Sequence, residues 1–404
     1  MKILFADAIS EPRLDVLRKQ GHEIIVEPSL RTKDLPSRIS GIETLVVRST
    51  KVDEASIASA DSLGLIVRAG AGTDNIDTSA ASARGVFVCN VPGRNAVAVA
   101  ELTMGLLLAI DRRIVDNAAD LRAGVWNKGL YSKANGILGS TIAIIGVGDI
   151  GLAVAERAKA FGMSVTAQRR DNRSPEVQAR IRTIGIRLVD NVDELLADAD
   201  VVSLHVPKAA DTTGMVDRTF LAKMRPGSIL LNTSRANVIE EAALLEAIDA
   251  KQLRVGLDVW PSEPSAKDGA FSSQLGQHPL VIGTHHIGAS TAQAQDSVAE
   301  GTVAVIDAYA RGHVINCVNL DRDAVGTSCL TVRHLDQVGV LAQVFQVLRT
   351  NGFNVQQVQN QIFTGAAAAV ATVYVDGQAT DALLEQMNGI PEVLAAASVT
   401  VDGT

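Results

Sequence analysis

The chain has no basic tract: 37 Lys and Arg stand against 45 Asp and Glu, a formal net charge of -8. A polyanion partner needs clustered positive charge, so nucleic acid is excluded as the expected ligand. Cysteine is scarce as well. Cys89, Cys317 and Cys329 are odd in number and lack metal-ligand spacing, which argues against a disulfide framework or a structural metal and suits a reducing compartment. No apolar run approaches the roughly 20 residues that cross a bilayer. The opening MKILFADAIS meets Asp7 too early for a signal-peptide core. The expectation is a cytoplasmic protein with no membrane partner. Array-type repeats are missing too.

What is present is a length of 404 residues, too long for one ordinary core, so two or three domains are expected. Short, continuously apolar runs (KILFAD, EIIVE, ETLVVR, LGLIVRAG, GVFVCN) alternate with helical stretches, the first of which has Ser10 as its expected N-cap. Continuous apolarity suits strands buried on both faces of a parallel sheet. A long Ala/Leu/Val-rich helical pattern runs from Asn95 to about Asp120. TIAIIG, MSVTAQ, ADVVSLHV, GSILLNT and RVGLDVW then resume the alternation. After the polar stretch NLDRDAVGT, the segments SCLTVRHL, LAQVFQVLRTNG, FNVQQVQNQIF, AAAVATVYVDG, DALLEQMNG and ASVTVDG predict a βαββαβ order, which is ferredoxin-like.

TIAIIGVGDIGLAVAERAKAFG places Gly146, Gly148 and Gly151 between a buried strand and an amphipathic helix that opens on Asp149 and Ile150. In that context the first glycine permits a tight turn, the second lets backbone approach a pyrophosphate, and the third lets helix and strand pack. The helix start offers free N–H groups to the phosphates. An acidic residue at the end of the next strand would mark NAD, but here the strand ends MSVTAQRRD. Arg169 and Arg170 can hold a 2'-phosphate instead, while Asp171 can act as a shifted acid, so NAD and NADP both stay open with NADP slightly favoured.

RSTKV, RAGAGTDNID, VPGRNAVAVAELTMGLLLA, NTSRANVIEEAAL, LDVWPSEP and THHIGASTAQAQ follow one another in order. Over about residues 2–319 the chain thereby resembles the D-isomer-specific 2-hydroxyacid dehydrogenase family. The resemblance implies Arg235 as the cation for the substrate carboxylate, His286 as the base for the hydroxyl proton, and Glu263 as its partner. Imidazole titrates near working pH, and a carboxylate beside it fixes its orientation and raises its pKa. The family normally has proline where His285 stands. His205, in SLHVP, is the other candidate base, but the resemblance gives it and Pro207 to a cofactor-side loop. Thr212, Thr233, Ser234 and Gly288 join the implied cofactor contacts, and Asp258 is expected to meet the nicotinamide carboxamide.

In the phosphoglycerate dehydrogenases of this family, the positions of Arg48 and Arg68 face the substrate's phosphate and carboxylate. Ser49, Gly72 and Asn95 are implied neighbours, and Glu101 reads as structural. The tail resembles an ACT domain, a module that pairs with a second copy and holds a small amino acid between them. His334, Asp336 and Asn354 match its ligand positions, with Asp336 replacing an asparagine. The fold class expected is α/β, with two doubly wound parallel-sheet domains and a ferredoxin-like ACT domain. Residues 1–95 and 287–319 would form the substrate-binding domain, 96–286 the dinucleotide-binding domain, 320–327 a linker and 328–404 the regulatory domain. The implied activity is NAD(P)-dependent oxidation of 3-phosphoglycerate by a homodimer or homotetramer. The alternatives are an NADPH-dependent glyoxylate or hydroxypyruvate reductase and, from another class, a non-catalytic nucleotide-redox sensor or corepressor-like binding protein.

Overall fold

The computed structural model describes residues 1–264, 269–321 and 326–401, so the linker expected at 320–327 lies largely outside the described residues. The chain divides into two compact units, Met1–Asn319 and Leu320–Thr404. The first unit holds two wholly parallel sheets. Strands β1 (Lys2–Phe5), β2 (Glu23–Val26), β3 (Thr44–Val47), β4 (Leu65–Arg68) and β5 (Phe87–Asn90) lie in the order β2-β1-β3-β4-β5. The second sheet contains β6 (Thr141–Ile145), β7 (Ser164–Gln168), β8 (Arg187–Val189), β9 (Val201–Leu204), β10 (Ile229–Asn232), β11 (Arg254–Leu257) and β12 (Val281–Gly283), ordered β12-β11-β10-β9-β6-β7-β8. All four residues of β3, of β9 and of β10 are buried, as continuous apolar strands between helical layers should be.

β8 and β12 were not anticipated from the sequence. Each is three residues long and forms one edge of its sheet, too short to carry a periodic signal. The long helical pattern from Asn95 is also corrected: it is two helices, Ala96–Arg112 and Ile114–Arg122, parted by Arg113 in the left-handed region. The first helix packs its stripe of Ala100, Met104, Leu107 and Ile110 on the second sheet. Gly256 leaves the room for this, since a Cβ there would press on Leu231 and Ile110. Ser10 does precede the helix Glu11–Lys19, but its hydroxyl caps nothing. Pro12 has no N–H to offer at one of the two positions an N-cap side chain serves.

The helix Ala292–Ala310 returns to the first sheet, where Val298, Val303, Val305 and Ile306 join Ile3, Phe5, Val46 and Val67 in one core. Residues 316–318 then run antiparallel beside β5, with Asn90 N–H donating to Asn316 and Val318 N–H to Val88.

The second unit is a four-stranded antiparallel sheet of β13 (Ser328–Leu335), β14 (Val355–Ile362), β15 (Ala368–Val375) and β16 (Val393–Thr400) in the order β14-β15-β13-β16. The helices Val340–Thr350 and Asp381–Asn388 cover one face, burying Val344, Leu348, Leu383 and Met387 against Leu330, Val332 and Val373. This is the ferredoxin-like order expected from the sequence.

Candidate active site

The glycine turn after β6 is built as the sequence suggests. Gly146 has φ +98°, and a Cβ there would overlap the backbone of His205. Gly151 has no room either, because its Cβ would fall on the carbonyl of Gly146 and beside Ile144. Gly148, between them, faces open space and starts the helix Asp149–Ala160. Thus two glycines close the turn, and the third leaves an approach to free helix N–H groups, which fits a pyrophosphate. Asp149 pairs at 3.6 Å with Arg180, and Ile150 is half-buried against the core of the second sheet.

At the end of β7, the Arg169 Nε donates to Asp190 at 2.8 Å, and its guanidinium is half exposed. Arg170 and Asp171 are exposed beside it. The sequence reading missed Arg173, whose guanidinium donates at 2.6 Å to the carbonyl of Gln168, the last residue of β7. Burial holds its pKa below the usual arginine value, and nearby Arg170 adds to that.

The other expected cofactor contacts divide by their partners. Thr212 closes its own loop by donating to the Pro207 carbonyl at 2.6 Å. The Thr233 hydroxyl meets Thr103, and the Ser234 hydroxyl donates to Asn232 Oδ1. Asn232, not singled out from the sequence, also donates to the Arg235 carbonyl, so it shapes the whole turn that follows β10. His205 Nε2 meets the Ser203 hydroxyl at 2.8 Å, while Nδ1 is buried without a partner among the described residues. Burial pushes its pKa down to about 3. So weak a base, with no carboxylate beside it among the described residues, does not suit proton abstraction from a hydroxyl.

The loops after β3 and β4 meet those after β10 and β12. Arg235 Nε donates to Asp74 at 2.9 Å and its Nη1 to the Ser234 carbonyl at 2.8 Å. Gly72 and Gly70 are needed here, because a Cβ at Gly72 would overlap Arg235 Nη2 and one at Gly70 would overlap Arg68. Asn90 ties the same loop through the Ala71 carbonyl. Among the described residues Arg68 Nε is buried without a partner, and desolvation, then Arg235 and Arg48, lower its pKa to about 10. Asp7 fixes the neighbouring loop by accepting the N–H groups of Arg48, Ser49 and Thr50. Asn95 Oδ1 is likewise buried without a partner among the described residues. Glu101 lies apart, half exposed and 3.6 Å from Arg157.

His286 Nδ1 lies 2.7 Å from Glu263 Oε2. Its hydrogen bond to Glu263 raises the imidazole pKa against some desolvation. Burial pushes the Glu263 pKa up, but the bonds from His286 and from the Trp260 N–H outweigh it, so the net shift is downward. An ionised carboxylate only accepts, so Nδ1 carries the proton and Nε2 is left to act as base. The His286 backbone has φ +53°, in the left-handed region. Asp258, 1% exposed, takes the Thr284 hydroxyl and the Ile287 N–H on Oδ1 and the Gly288 N–H on Oδ2. Its main partners are therefore in the His286 loop. A nicotinamide carboxamide would have to share what remains.

In the second unit His334 turns inward, 2% exposed, with Nδ1 on the Leu335 carbonyl and Nε2 on Asn360 Oδ1 at 3.2 Å. The ring therefore faces the Leu335 carbonyl and the Asn360 side chain of its own module. Asp336 and Asn354 are exposed but lie at opposite ends of the sheet, beside Ala367 and Asp376 respectively.

Among the described residues no helix is long and apolar enough to cross a membrane, and no cluster of three or more His, Cys, Asp or Glu could hold a metal.

Residues 104–288 match the D-isomer specific 2-hydroxyacid dehydrogenase NAD binding domain, and residues 330–395 match the AHAS small subunit-like ACT domain. The chain is 39% identical to a D-3-phosphoglycerate dehydrogenase of Archaeoglobus fulgidus over 79% of its own length and 59% of that protein's. It is 37% identical to a hydroxypyruvate reductase of Thermotoga maritima, over 72% of this chain and 92% of the relative. The NAD+-bound 3-phosphoglycerate dehydrogenase structure from Entamoeba histolytica superposes with a TM-score of 0.65 at 27% identity, covering 79% of this chain and 99% of the other.

Proposed function

The chain belongs to the D-isomer specific 2-hydroxyacid dehydrogenase family, and on that premise we propose that it oxidises 3-phospho-D-glycerate to 3-phosphohydroxypyruvate, the first step towards serine. The carrying observation is the convergence of Arg48, Arg68 and Arg235, with Arg68 Nε unpaired among the described residues and its pKa depressed by burial first and then by the charges of Arg235 and Arg48. Such repulsion is relieved by an anion, and a substrate with both a carboxylate and a phosphate offers enough negative charge for three cations. Arg235 holds the carboxylate with the nitrogen facing Gly72, while Asp74 fixes its fork. His286 Nε2 takes the hydroxyl proton, and ionised Glu263 stabilises the imidazolium that forms. The nicotinamide ring, when bound, accepts the hydride.

Arg169, Arg170 and Arg173 around the end of β7 favour a 2'-phosphate and hence NADP. They also favour the second reading, an NADPH-dependent glyoxylate or hydroxypyruvate reductase, which the Thermotoga relative's name supports. We assign residues 1–95 and 287–319 to a substrate-binding domain and 96–286 to a dinucleotide-binding domain. A second copy would cover the exposed apolar stretch of Ile114, Leu121, Val125, Trp126 and Leu138, where Trp126 is 80% and Leu138 84% exposed. It would also bring one copy's Asp336 to the other's Asn354, as an amino-acid effector site requires. The carboxylate of Asp336 beside the effector's own makes that binding weak.

Steady-state kinetics with phosphoglycerate, glycerate, glyoxylate and hydroxypyruvate, each with both nucleotides, tests the reading. Phosphoglycerate should have the highest kcat/KM among the acids oxidised. Arg68→Ala should raise KM for phosphoglycerate more than for glycerate. Equal rises would remove Arg68 from phosphate recognition, and a preference for glyoxylate with NADPH would select the second reading.

A further inference from the structure

His286 occupies a backbone conformation that a residue with a Cβ adopts at a cost of about 1–2 kcal/mol. It persists only where its surroundings over-determine it. On the C-terminal side, Asp258 gives that constraint through Ile287 and Gly288. On the N-terminal side the backbone N–H of Thr284 donates to the Leu257 carbonyl at 2.9 Å, but the peptide plane between Thr284 and His285 must also be set. His285 does not set it: its side chain is exposed, and its N–H has no protein acceptor among the described residues.

The plane is held by Trp260. Its indole Nε1–H donates to the Thr284 carbonyl at 2.8 Å, and its own backbone N–H donates at 2.8 Å to Glu263 Oε1. The ring is 8% exposed, sits edge-on to Phe271 at 5.3 Å, and lies over Gly283, where any Cβ would overlap it. One residue therefore locates both halves of the His286–Glu263 pair. We propose that Trp260 is a positioning residue that does here what a proline at position 285 would do. Proline fixes its own φ and confines the preceding residue to extended backbone, and it would forfeit no hydrogen bond at this position. The indole N–H instead clamps the Thr284 carbonyl from outside the loop.

The inference rests on His286 being the acid–base group, and a single set of variants separates the two ideas. Trp260→Phe keeps an aromatic ring and removes the N–H. Loss of one such hydrogen bond should lower kcat about five- to tenfold, leave nucleotide affinity by calorimetry unchanged, and move the acid limb of kcat/KM to lower pH as the Glu263 contact loosens. His285→Pro alone should be nearly silent, and Trp260→Phe/His285→Pro should regain both kcat and the pH limb. If the phenylalanine variant folds poorly, benzothienylalanine at position 260 removes the N–H while keeping the shape of the indole, and the same rescue is expected. A silent Trp260 variant, or a double variant no better than the single, overturns the positioning role when His286→Ala is inactive. If His286→Ala itself turns over normally, the acid–base reading fails first.

Discussion

His205 and His286 both lie just past the C-terminal ends of strands in the same parallel sheet, and their surroundings push them in opposite directions. Among the described residues the His205 ring meets the hydroxyl of Ser203 and leaves Nδ1 buried without a partner, and burial drives its pKa down to about 3. His286 is half exposed, leans on a carboxylate and is raised. The difference lies in what stands opposite the ring. Position in the sheet brings a histidine to the crevice, but only a fixed anion makes it a base that titrates in the working range.

The largest effect expected follows directly. His286→Ala should lower turnover by ~100- to 10,000-fold while nucleotide affinity survives. His205→Gln should retain most of the turnover, because its buried ring is held neutral against the Ser203 hydroxyl and it is its backbone that lies behind the glycine turn. Single-turnover rates of the two variants decide this; the reverse ranking would exchange the roles of the histidines.

A smaller change sharpens the contrast by making His286 resemble His205. Glu263→Gln leaves an acceptor for Nδ1–H but no charge to stabilise the imidazolium. In the oxidation direction the neutral ring is the active form, so kcat/KM rises as pH climbs through the raised His286 pKa. The variant should shift that limb to lower pH. A limb that stays in place would mean that Glu263 orients the ring without tuning it.

The contrast also shows what the sequence could carry. The glycine turn was legible because each glycine answers to a local requirement, a positive φ at Gly146 and a filled space at Gly151. Arg235, Glu263 and His286 were legible as ordered motifs. Their supports were not: Asp74 reaches Arg235 across 161 residues of chain, and nothing near Asp7 or Asn232 announces which loop each will hold. The tail's order was readable from its alternating strands. The inward turn of His334 was not, since its bond to Asn360 crosses the small side chains of an intervening strand. The left-handed break at Arg113 lacks the glycine that would have marked it.

The last effect expected is on stability, and its sign opposes the two histidines once more. The folded pKa of His205 lies below its ordinary value near 6.5, so between pH 6.5 and about 3 the unfolded chain binds the extra proton. Stability then rises with pH across that window and is lost as pH falls through it. At pH 5 the cost relative to pH 7 is about 2 kcal/mol from this group alone. For His286 the folded pKa is raised. Its contribution is present below the unfolded value and disappears as pH rises through the folded one, and solvent at its half-exposed ring keeps it small. Urea melts of the wild type and His205→Gln at pH 7 and pH 5 read the difference. The variant should lose less stability on acidification by about 2 kcal/mol. Parallel losses in the two proteins would mean that His205 is protonated in the folded chain at pH 5, and that the opposition between the two rings is weaker than their surroundings imply.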